Sequence, residues 1–338
     1  MNKLKAWYIE LRASFLTGSI IPIVLGTVIA WARNNLFNPM YFAFALMGGV
    51  FVHLGANVIN DYYDYKSGTD QLNKEYVRPF TGGSRTLQLH LLTSKEVLFG
   101  SIIFFSLAIV VGLYFTWVVG PFVPVLTSVG LFSAFFYTGH PFKLVNKGLG
   151  EVFIGLNFGF LLTLGAFYVQ TQVLALEPLV ASIPVTLLIT AILYINEFQD
   201  YNADKAVGKE NLVVRLSREK AAVGYGILMY SSYTAILLSA LLKVTPTYTL
   251  LALVTLPLAI KSVEHARKFH SSPFQLVPSN ALTIICHLFT GIILSFGYLL
   301  SAFVLLSTEF FTVLATVGLC TAVAFFLFKK IGYGKTTA

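Results

Sequence analysis

Long apolar segments alternate with short polar seams along most of the chain. A segment of about 17 residues or more is long enough to cross a hydrocarbon core of roughly 30 Å. Such segments occupy residues 14–32, 38–60, 97–118, 121–139, 149–171, 178–199, 220–242, 247–263, 279–303 and 309–328. Proline, glycine and charged residues mark the seams between them. The pattern predicts an all-α protein, a multi-pass transmembrane helical bundle.

The composition is typical of a chain whose solvent is largely lipid. Hydrophobic residues make up 56% of the sequence and charged residues 11%, whereas roughly 25% of an average soluble chain is charged. The net charge is +8, but no basic soluble domain carries it, so we expect the lipid bilayer and not nucleic acid as a partner. Cys286 and Cys320 both lie in apolar segments and form neither a disulfide framework nor a zinc pattern.

Basic residues are distributed unevenly between the seams. If the N-terminus is cytoplasmic and all the segments cross, Arg33 and Lys243 are the only outer residues among the 23 Lys and Arg. Glu177 and Glu309 are then the only outer acids. This imbalance follows the positive-inside rule. We therefore expect a protein of the cytoplasmic membrane, with both termini and the active site on the cytoplasmic side.

The second apolar segment ends in a polar stripe. Asn57, Asn60, Asp61 and Asp64 are three or four residues apart, so on a helix they lie on one face. Asp70 follows closely. Basic residues and a turn of small residues come next, and they comprise Lys66, Lys74, Arg78, the turn Thr81-Gly82-Gly83-Ser84, and Arg85. Acidic and basic groups crowded at one membrane edge indicate a site for a metal ion and a phosphate.

The sixth segment ends in a second stripe of the same kind. Asn196, Asp200 and Asp204 are spaced four and four residues apart, and Lys209 follows. If the two helix ends face each other, five carboxylates surround one cavity, those of Asp61, Asp64, Asp70, Asp200 and Asp204. Such a cluster would repel a phosphate unless divalent cations were present. Mg²⁺ suits it, because that ion takes few protein carboxylates and completes its octahedron with water and phosphate oxygens.

At these positions the sequence resembles the UbiA superfamily of membrane prenyltransferases. Asn60, Asp61 and Asp64 match the family's first motif, NDxxDxxxD, and Asp200 and Asp204 match its later DxxxD. In place of the last Asp of the first motif the chain has Gly68, with Asp70 two residues on, followed by Gly-Gly-Ser. This form looks like the branch that prenylates 1,4-dihydroxy-2-naphthoate in menaquinone biosynthesis, as does the stretch from residue 137 to residue 151.

The resemblance implies a fold, a reaction and a set of site residues. The fold is a nine-helix prenyltransferase core, residues 1–304, and residues 305–338 add a tenth C-terminal transmembrane helix and a basic tail. The reaction is Mg²⁺-dependent transfer of a polyprenyl group from polyprenyl diphosphate to an aromatic acceptor, with decarboxylation of the naphthoate. Implied catalytic residues are Asp61, Asp64, Asp200, Asp204 and Tyr137. Implied metal ligands are the five aspartates with Asn57 and Asn196, and implied diphosphate ligands are Asn60, Arg78, Arg85, Lys143 and Lys209.

Other interpretations of the same residues stay open at this point. Where the naphthoate branch usually has Asn and Arg before the second motif, this chain has Glu197 and Gln199, so 4-hydroxybenzoate, homogentisate or glyceryl phosphate are alternative acceptors. A cation-coupled transporter also keeps carboxylates within its bundle, although typically near the bilayer midplane. Single Asp and Asn residues at helix ends are often caps, and Lys143 is also explained as a positive-inside anchor.

Overall fold

The structure, a computed structural model, describes residues 2–303 and residue 318. Among these residues every regular element is helical, which confirms the predicted fold class. The predicted tenth span, residues 309–328, and the predicted additional region, residues 305–338, lie outside the described residues, residue 318 apart. The last helix of the bundle is described as far as Phe303.

A short N-terminal helix precedes helices that follow the first nine apolar segments in order. In the described part these are α1 (Lys3–Glu10), α2 (Thr17–Asn34), α3 (Pro39–Ser67), α4 (Ser94–Val118), α5 (Val123–Phe136), α6 (Gly150–Thr171), α7 (Leu176–Ala206), α8 (Arg218–Leu241), α9 (Thr247–Phe269) and α10 (Pro273–Phe303). Seven of the described helices are long and apolar enough to cross a membrane. The pair Lys3–Phe15 and Thr17–Asn34, bent by 49°, makes an eighth span if the pair is one span.

The fourth apolar segment forms a shorter helix than the sequence predicts. α5 has 14 residues, which at 1.5 Å per residue is about 21 Å and less than a hydrocarbon core of roughly 30 Å. The helix ends because Gly139 and Pro141 follow, and the residue before a proline is disfavoured in the helical conformation. Tyr137 therefore comes directly after the helix.

Sequence signals at both ends define α3. Asn38 accepts hydrogen bonds from backbone N–H groups of the first turn, and Pro39 takes the first helical position. At the other end Gly68 has a φ of 81°, in the left-handed region that glycine enters without a Cβ penalty. The chain reverses there into the short helix Thr69–Leu72, which places Asp70 beside the end of α3.

The helices pack as a ring. α2 contacts α3, α6 and α10, and successive helices from α3 to α10 contact one another around the circuit. The largest apolar core of the described residues lies between α2, α7, α8, α9 and α10. The opposite half of the ring, from α2 to α7, encloses the main cavity.

Candidate active site

The cavity has a polar end and a long apolar part, and its volume is about 360 Å³. The polar end lies where α3 and α7 end. It is lined there by most of the residues that the sequence singled out: Asn57, Asn60, Asp64, Asp70, Tyr137, Asn196, Asp200, Asp204 and Lys209. The apolar part continues to Phe115, Val123 and Val169, which lie near the opposite ends of α4, α5 and α6.

Lys209 joins the two acidic motifs. Its Nζ lies 3.4 Å from Asp64 Oδ1 and 3.6 Å from Asp204 Oδ1. Burial disfavours the charged ammonium, but the carboxylates of Asp204 and Asp64 outweigh this effect and hold the pKa of Lys209 well above its ordinary range. Because one cation reaches both motifs, the ends of α3 and α7 lie on the same side of the bundle and close enough to share one ligand.

Amide side chains orient the aspartates of both motifs. Asn60 Nδ2 donates a hydrogen bond to Asp64 Oδ2 at 3.0 Å, across one turn of α3. Asn211 Nδ2 donates to Asp204 Oδ2 at 2.8 Å. Asn73, in the connection between α3 and α4, donates to Asp200. The connection therefore crosses from the first motif to the second and ties them together.

Asp61 lies behind the cavity, against the glycine turn. Its Oδ2 accepts the backbone N–H of Ser84 at 2.8 Å, and Arg12 approaches its Oδ1 at 3.5 Å. A Cβ on Gly83 would lie 3.1 Å from Asp61 Oδ1 and 3.2 Å from Asp70 Oδ2, so the turn needs glycine to pack this closely on both carboxylates. Asp61 is not among the described residues that line the cavity, and its direct metal ligation stays a prediction.

Asp70 lies in the cavity wall, close to both carboxylates of the first motif. Burial, together with the negative charges of Asp64 and Asp61, raises the pKa of Asp70 to about 8. Gln88 Nε2 donates to its Oδ2 at 2.8 Å. Asp70 therefore holds its proton near neutral pH unless a cation offsets the neighbouring negative charges.

The structure places three of the predicted diphosphate ligands away from the cavity wall. Arg78 donates to a backbone carbonyl at 2.8 Å within the α3–α4 connection. Arg85 donates to two backbone carbonyls there, and its guanidinium lies 3.9 Å from the ring centroid of Tyr76. Lys143 begins a short 3₁₀ helix with a φ of 43°. The two arginines shape the connection, and diphosphate binding by the three residues stays a prediction.

The N-terminal segment contributes residues that the sequence did not single out. Arg12 lines the polar end of the cavity. Glu10 is buried, and its Oε2 accepts hydrogen bonds from Ser84 Oγ at 2.6 Å and from Thr86 Oγ1. In the sequence Arg12 is indistinguishable from a positive-inside anchor, because nothing nearby marks it as a partner of Asp61. The segment thus fastens the glycine turn beneath the first motif.

A buried amide network holds α10 against the second motif. Asn280 Nδ2 donates to Asn196 Oδ1 at 2.7 Å and to Gln199 Oε1 at 3.1 Å. Gln199 Nε2 returns a hydrogen bond to Asn280 Oδ1 at 3.0 Å. Since Asn280 already engages the Asn196 oxygen, the predicted metal ligation by Asn196 requires that oxygen to exchange partners.

Replacement of Asn280 by Leu is expected to destabilise the protein by about 1–3 kcal/mol, because it leaves buried polar groups of Gln199 and Asn196 without partners. Leucine has a similar volume, so the loss reflects the hydrogen bonds and not a new cavity. Thermal unfolding of the detergent-solubilised protein measures the effect. Thr234→Ala is the control, because Thr234 is exposed and bonds its own helix. Equal unfolding temperatures for both variants would contradict a structural role for the network.

The oxygen atoms at the polar end fit a hard divalent cation. In the cavity wall of the described part, buried oxygens without a hydrogen-bond partner include Asn60 Oδ1 and Asp204 Oδ1, the latter 3.6 Å from Lys209 Nζ. Among the described residues no group of three His, Cys, Asp or Glu side chains is arranged to hold a metal ion alone. Mg²⁺ needs only one or two protein carboxylates when phosphate and water oxygens complete its shell. The residues therefore fit Mg²⁺ bound together with a phosphate ligand.

Comparisons with known proteins identify relatives of this chain. The chain is 26% identical over 296 residues to the 2-carboxy-1,4-naphthoquinone phytyltransferase of Synechocystis, covering 87% of this chain and 93% of that protein. It is 24% identical over 294 residues to the 1,4-dihydroxy-2-naphthoate octaprenyltransferase of Bacillus subtilis, covering 86% and 91%. The structure of a UbiA homologue from Archaeoglobus fulgidus bound to GPP and Mg²⁺ superposes with a TM-score of 0.57 at 14% identity, covering 86% of this chain and 99% of that one.

The family match extends over the region that contains both acidic motifs. Residues 19–275 match the UbiA prenyltransferase family, which is more than half of the chain. They include the ends of α3 and α7 and the Lys209 side chain between them. The protein is thus an integral membrane enzyme, a prenyltransferase, and the chain belongs to the UbiA prenyltransferase family.

Proposed function

We propose that this enzyme transfers a polyprenyl group from polyprenyl diphosphate to 1,4-dihydroxy-2-naphthoate, with loss of the carboxylate, in a Mg²⁺-dependent step of menaquinone biosynthesis. The observation that carries the proposal is Lys209 bound to Asp64 and Asp204 at the polar end of a long apolar cavity. A diphosphate head at Lys209 would direct its isoprenoid tail along the apolar walls. The names of two relatives support a naphthoate or naphthoquinone acceptor.

The side chains at the polar end contribute to ionisation of the donor in three ways: they hold Mg²⁺, bind the diphosphate and stabilise the allylic cation. Asp64, Asp70, Asp200 and Asp204 would hold Mg²⁺, which when bound supplies positive charge next to the leaving diphosphate. Lys209 and Arg12 bind diphosphate oxygens as cations. Tyr137 and Phe158 line the cavity beside them, so their ring faces stabilise the allylic cation and exclude water. The acceptor ring then attacks the allylic carbon, so a carbon–carbon bond forms as the carbon–oxygen bond to diphosphate breaks and diphosphate leaves. The attacked ring carbon loses its proton, and the acceptor's carboxylate leaves as CO2 with a proton taking its place.

The distribution of basic residues supports a cytoplasmic active site. Arg33 pairs with Glu177 at 2.8 Å where α2 ends and α7 begins, at the end of α7 remote from Asp200 and Asp204. Under the positive-inside rule the acidic end of the bundle then faces the cytosol, where a water-soluble acceptor is available.

Parallel acceptor assays test the proposed reaction. Purified full-length protein receives one polyprenyl diphosphate and Mg²⁺ with 1,4-dihydroxy-2-naphthoate, 4-hydroxybenzoate, homogentisate or glyceryl phosphate, and products are identified by mass. We expect a decarboxylated prenyl naphthoquinol and no product in EDTA. Product from another acceptor alone would overturn the naphthoate assignment, and full turnover in EDTA would overturn the metal dependence.

Gly130→Leu is expected to shorten the part of the cavity that the isoprenoid tail can occupy. Gly130 lines the cavity on α5, and a Cβ there meets no heavy atom within 4 Å among the described residues. It lies about 10 Å along the helix from Tyr137. Each buried CH₂ contributes about 0.8 kcal/mol, so displacing a few of them should lower kcat/KM for long polyprenyl diphosphates at least about tenfold. The kcat/KM for geranyl diphosphate, whose tail is short, should stay at the wild-type value.

Gly130→Ala is the matched control, because a methyl group fills little of the open space. Steady-state kinetics with geranyl and long-chain donors measure both variants. An equal loss for short and long donors in Gly130→Leu would show that the tail does not pass this point.

A further inference from the structure

Glu197 is a buried carboxyl group that pairs with a second one, that of Glu151. It is 4% exposed, and in the described part of the chain no amide, hydroxyl or cationic group donates to Oε1 or Oε2. The side chain lines the same cavity as the acidic motifs. Glu197 precedes Asp200 by three residues on α7, so it lies on the same helix face, one turn further from the polar end.

One neighbour of Glu197 can share a proton with it. Glu151, at the start of α6, lies within hydrogen-bonding reach, and a protonated carboxyl group donates to a carboxylate, so the pair satisfies one oxygen of Glu197. Glu151 Oε1 is already committed, because it accepts the backbone N–H of Leu212 at 2.6 Å. Lys209, the nearby cation, is engaged by Asp64 and Asp204. The other oxygen of Glu197 has no donor among the described residues. A buried acceptor without a donor is costly, so its presence in a cavity wall indicates a ligand that brings a donor.

The place of Glu197 in the cavity restricts which ligand group it meets. The diphosphate head is held at Lys209 and the aspartates, and a diphosphate would be repelled by a further carboxylate. The isoprenoid tail has no hydrogen-bond donor. An aromatic acceptor, which must lie between the head and the start of the tail, carries phenolic O–H groups. The hydroxyl remote from the acceptor's own carboxylate can meet Glu197 while that carboxylate points away from it. A phenol that donates to a carboxylate also gains electron density in its ring, which favours attack on an allylic cation.

We propose that Glu197 determines acceptor specificity by accepting a hydrogen bond from a ring hydroxyl of the aromatic acceptor. This inference rests on the proposed function, since it assumes that the acceptor is a hydroxylated aromatic ring. Glu197 orients the ring so that its nucleophilic carbon faces the allylic carbon of the donor. Glu151 supports it from behind and is not among the described residues that line the cavity.

The test compares the full-length wild type with Glu197→Gln on acceptors that lack one hydroxyl group. Substrates are 1,4-dihydroxy-2-naphthoate, 1-hydroxy-2-naphthoate and 4-hydroxy-2-naphthoate, with Mg²⁺ and one polyprenyl diphosphate. In the wild type, loss of the recognised hydroxyl should lower kcat/KM about 10- to 100-fold, the value of a charge-assisted hydrogen bond. In Glu197→Gln, whose neutral amide oxygen is a weaker acceptor, that discrimination should fall by at least about fivefold. The KM for polyprenyl diphosphate should change by less than about twofold.

Two further variants separate recognition from folding. Glu197→Asp keeps the carboxylate and should retain discrimination between the hydroxylated and deoxy acceptors, even if Glu197→Gln does not fold. Glu151→Gln should also retain it. Equal discrimination in the wild type and Glu197→Gln, or loss of discrimination in Glu197→Asp, would overturn the proposal. Wild-type protein that prenylates no aromatic acceptor would instead contradict the proposed function, so the two failures are distinguishable.

Discussion

Asp64→Asn and Asp200→Asn are each expected to lower prenyl transfer about 100- to 1,000-fold, the loss typical when one electrostatic contact to a developing charge is removed. Both side chains line the polar end of the cavity, one from each motif. An amide keeps the size of the carboxylate but not its charge, so each variant loses a charged oxygen for Mg²⁺. Product formation by mass and released diphosphate measure the effect at saturating Mg²⁺.

The control for these variants is Glu219→Gln, which removes an exposed carboxylate at the start of α8. It should transfer prenyl groups at the wild-type rate. If all three variants elute as a single folded species in size-exclusion chromatography, the loss of activity is due to the missing carboxylate and not to unfolding. Wild-type turnover in either aspartate variant would contradict a metal-assisted mechanism at this site.

The helical bundle and the meeting of the two acidic motifs follow from local features of the sequence. Apolar length identifies each span, and the spacing of three or four residues places the polar groups on one face. Four apolar segments, those that form α4 to α7, then separate the end of α3 from the end of α7, and the chain changes direction after each, the shorter α5 included, so both ends return to one side. The contacts of Lys209 with Asp64 and Asp204 confirm that arrangement.

Other parts of the site depend on contacts between distant segments, which no local pattern reports. Arg12 reaches Asp61, and Asn280 reaches Asn196, across long stretches of sequence. For Arg78 and Arg85 the sequence pattern is ambiguous. Basic residues beside a glycine turn indicate a phosphate site, but the pattern is the same whether their side chains face a ligand or the turn itself. In this structure they bind backbone carbonyls.

Gly68 explains why the first motif departs from the general family pattern. A helix that continued past this residue would carry the next acid further along α3. The left-handed conformation at Gly68 ends α3 instead and leads Asp70 back beside Asp61, with Gly83 packed against both. Asp70 therefore lies near the first motif because the backbone turns at Gly68. Residue spacing on a continuous helix does not predict this position.

Replacement of Lys209 by Met is expected to lower kcat/KM for polyprenyl diphosphate about 100-fold and to destabilise the protein in EDTA. The ammonium neutralises Asp64 and Asp204 and binds the diphosphate in the proposed mechanism. Removing one partner of a buried ion pair costs about 3–5 kcal/mol when the remaining charge is uncompensated. Mg²⁺ replaces the lost positive charge, so the unfolding temperature of Lys209→Met should rise with Mg²⁺ more steeply than that of the wild type.

Lys205→Met is the matched control, since Lys205 is an exposed lysine near the end of α7. It should keep wild-type kinetics and the wild-type response to Mg²⁺, because its ammonium faces the ring of Tyr201 and not the motif carboxylates. Thermal unfolding in EDTA and in a Mg²⁺ series, together with donor kinetics, measures all three proteins. If Lys209→Met lost activity but responded to Mg²⁺ as the wild type does, Lys209 would bind substrate without balancing the motif charges. If both properties were unchanged, the link between the two motifs would lie in the hydrogen bond from Asn73 to Asp200.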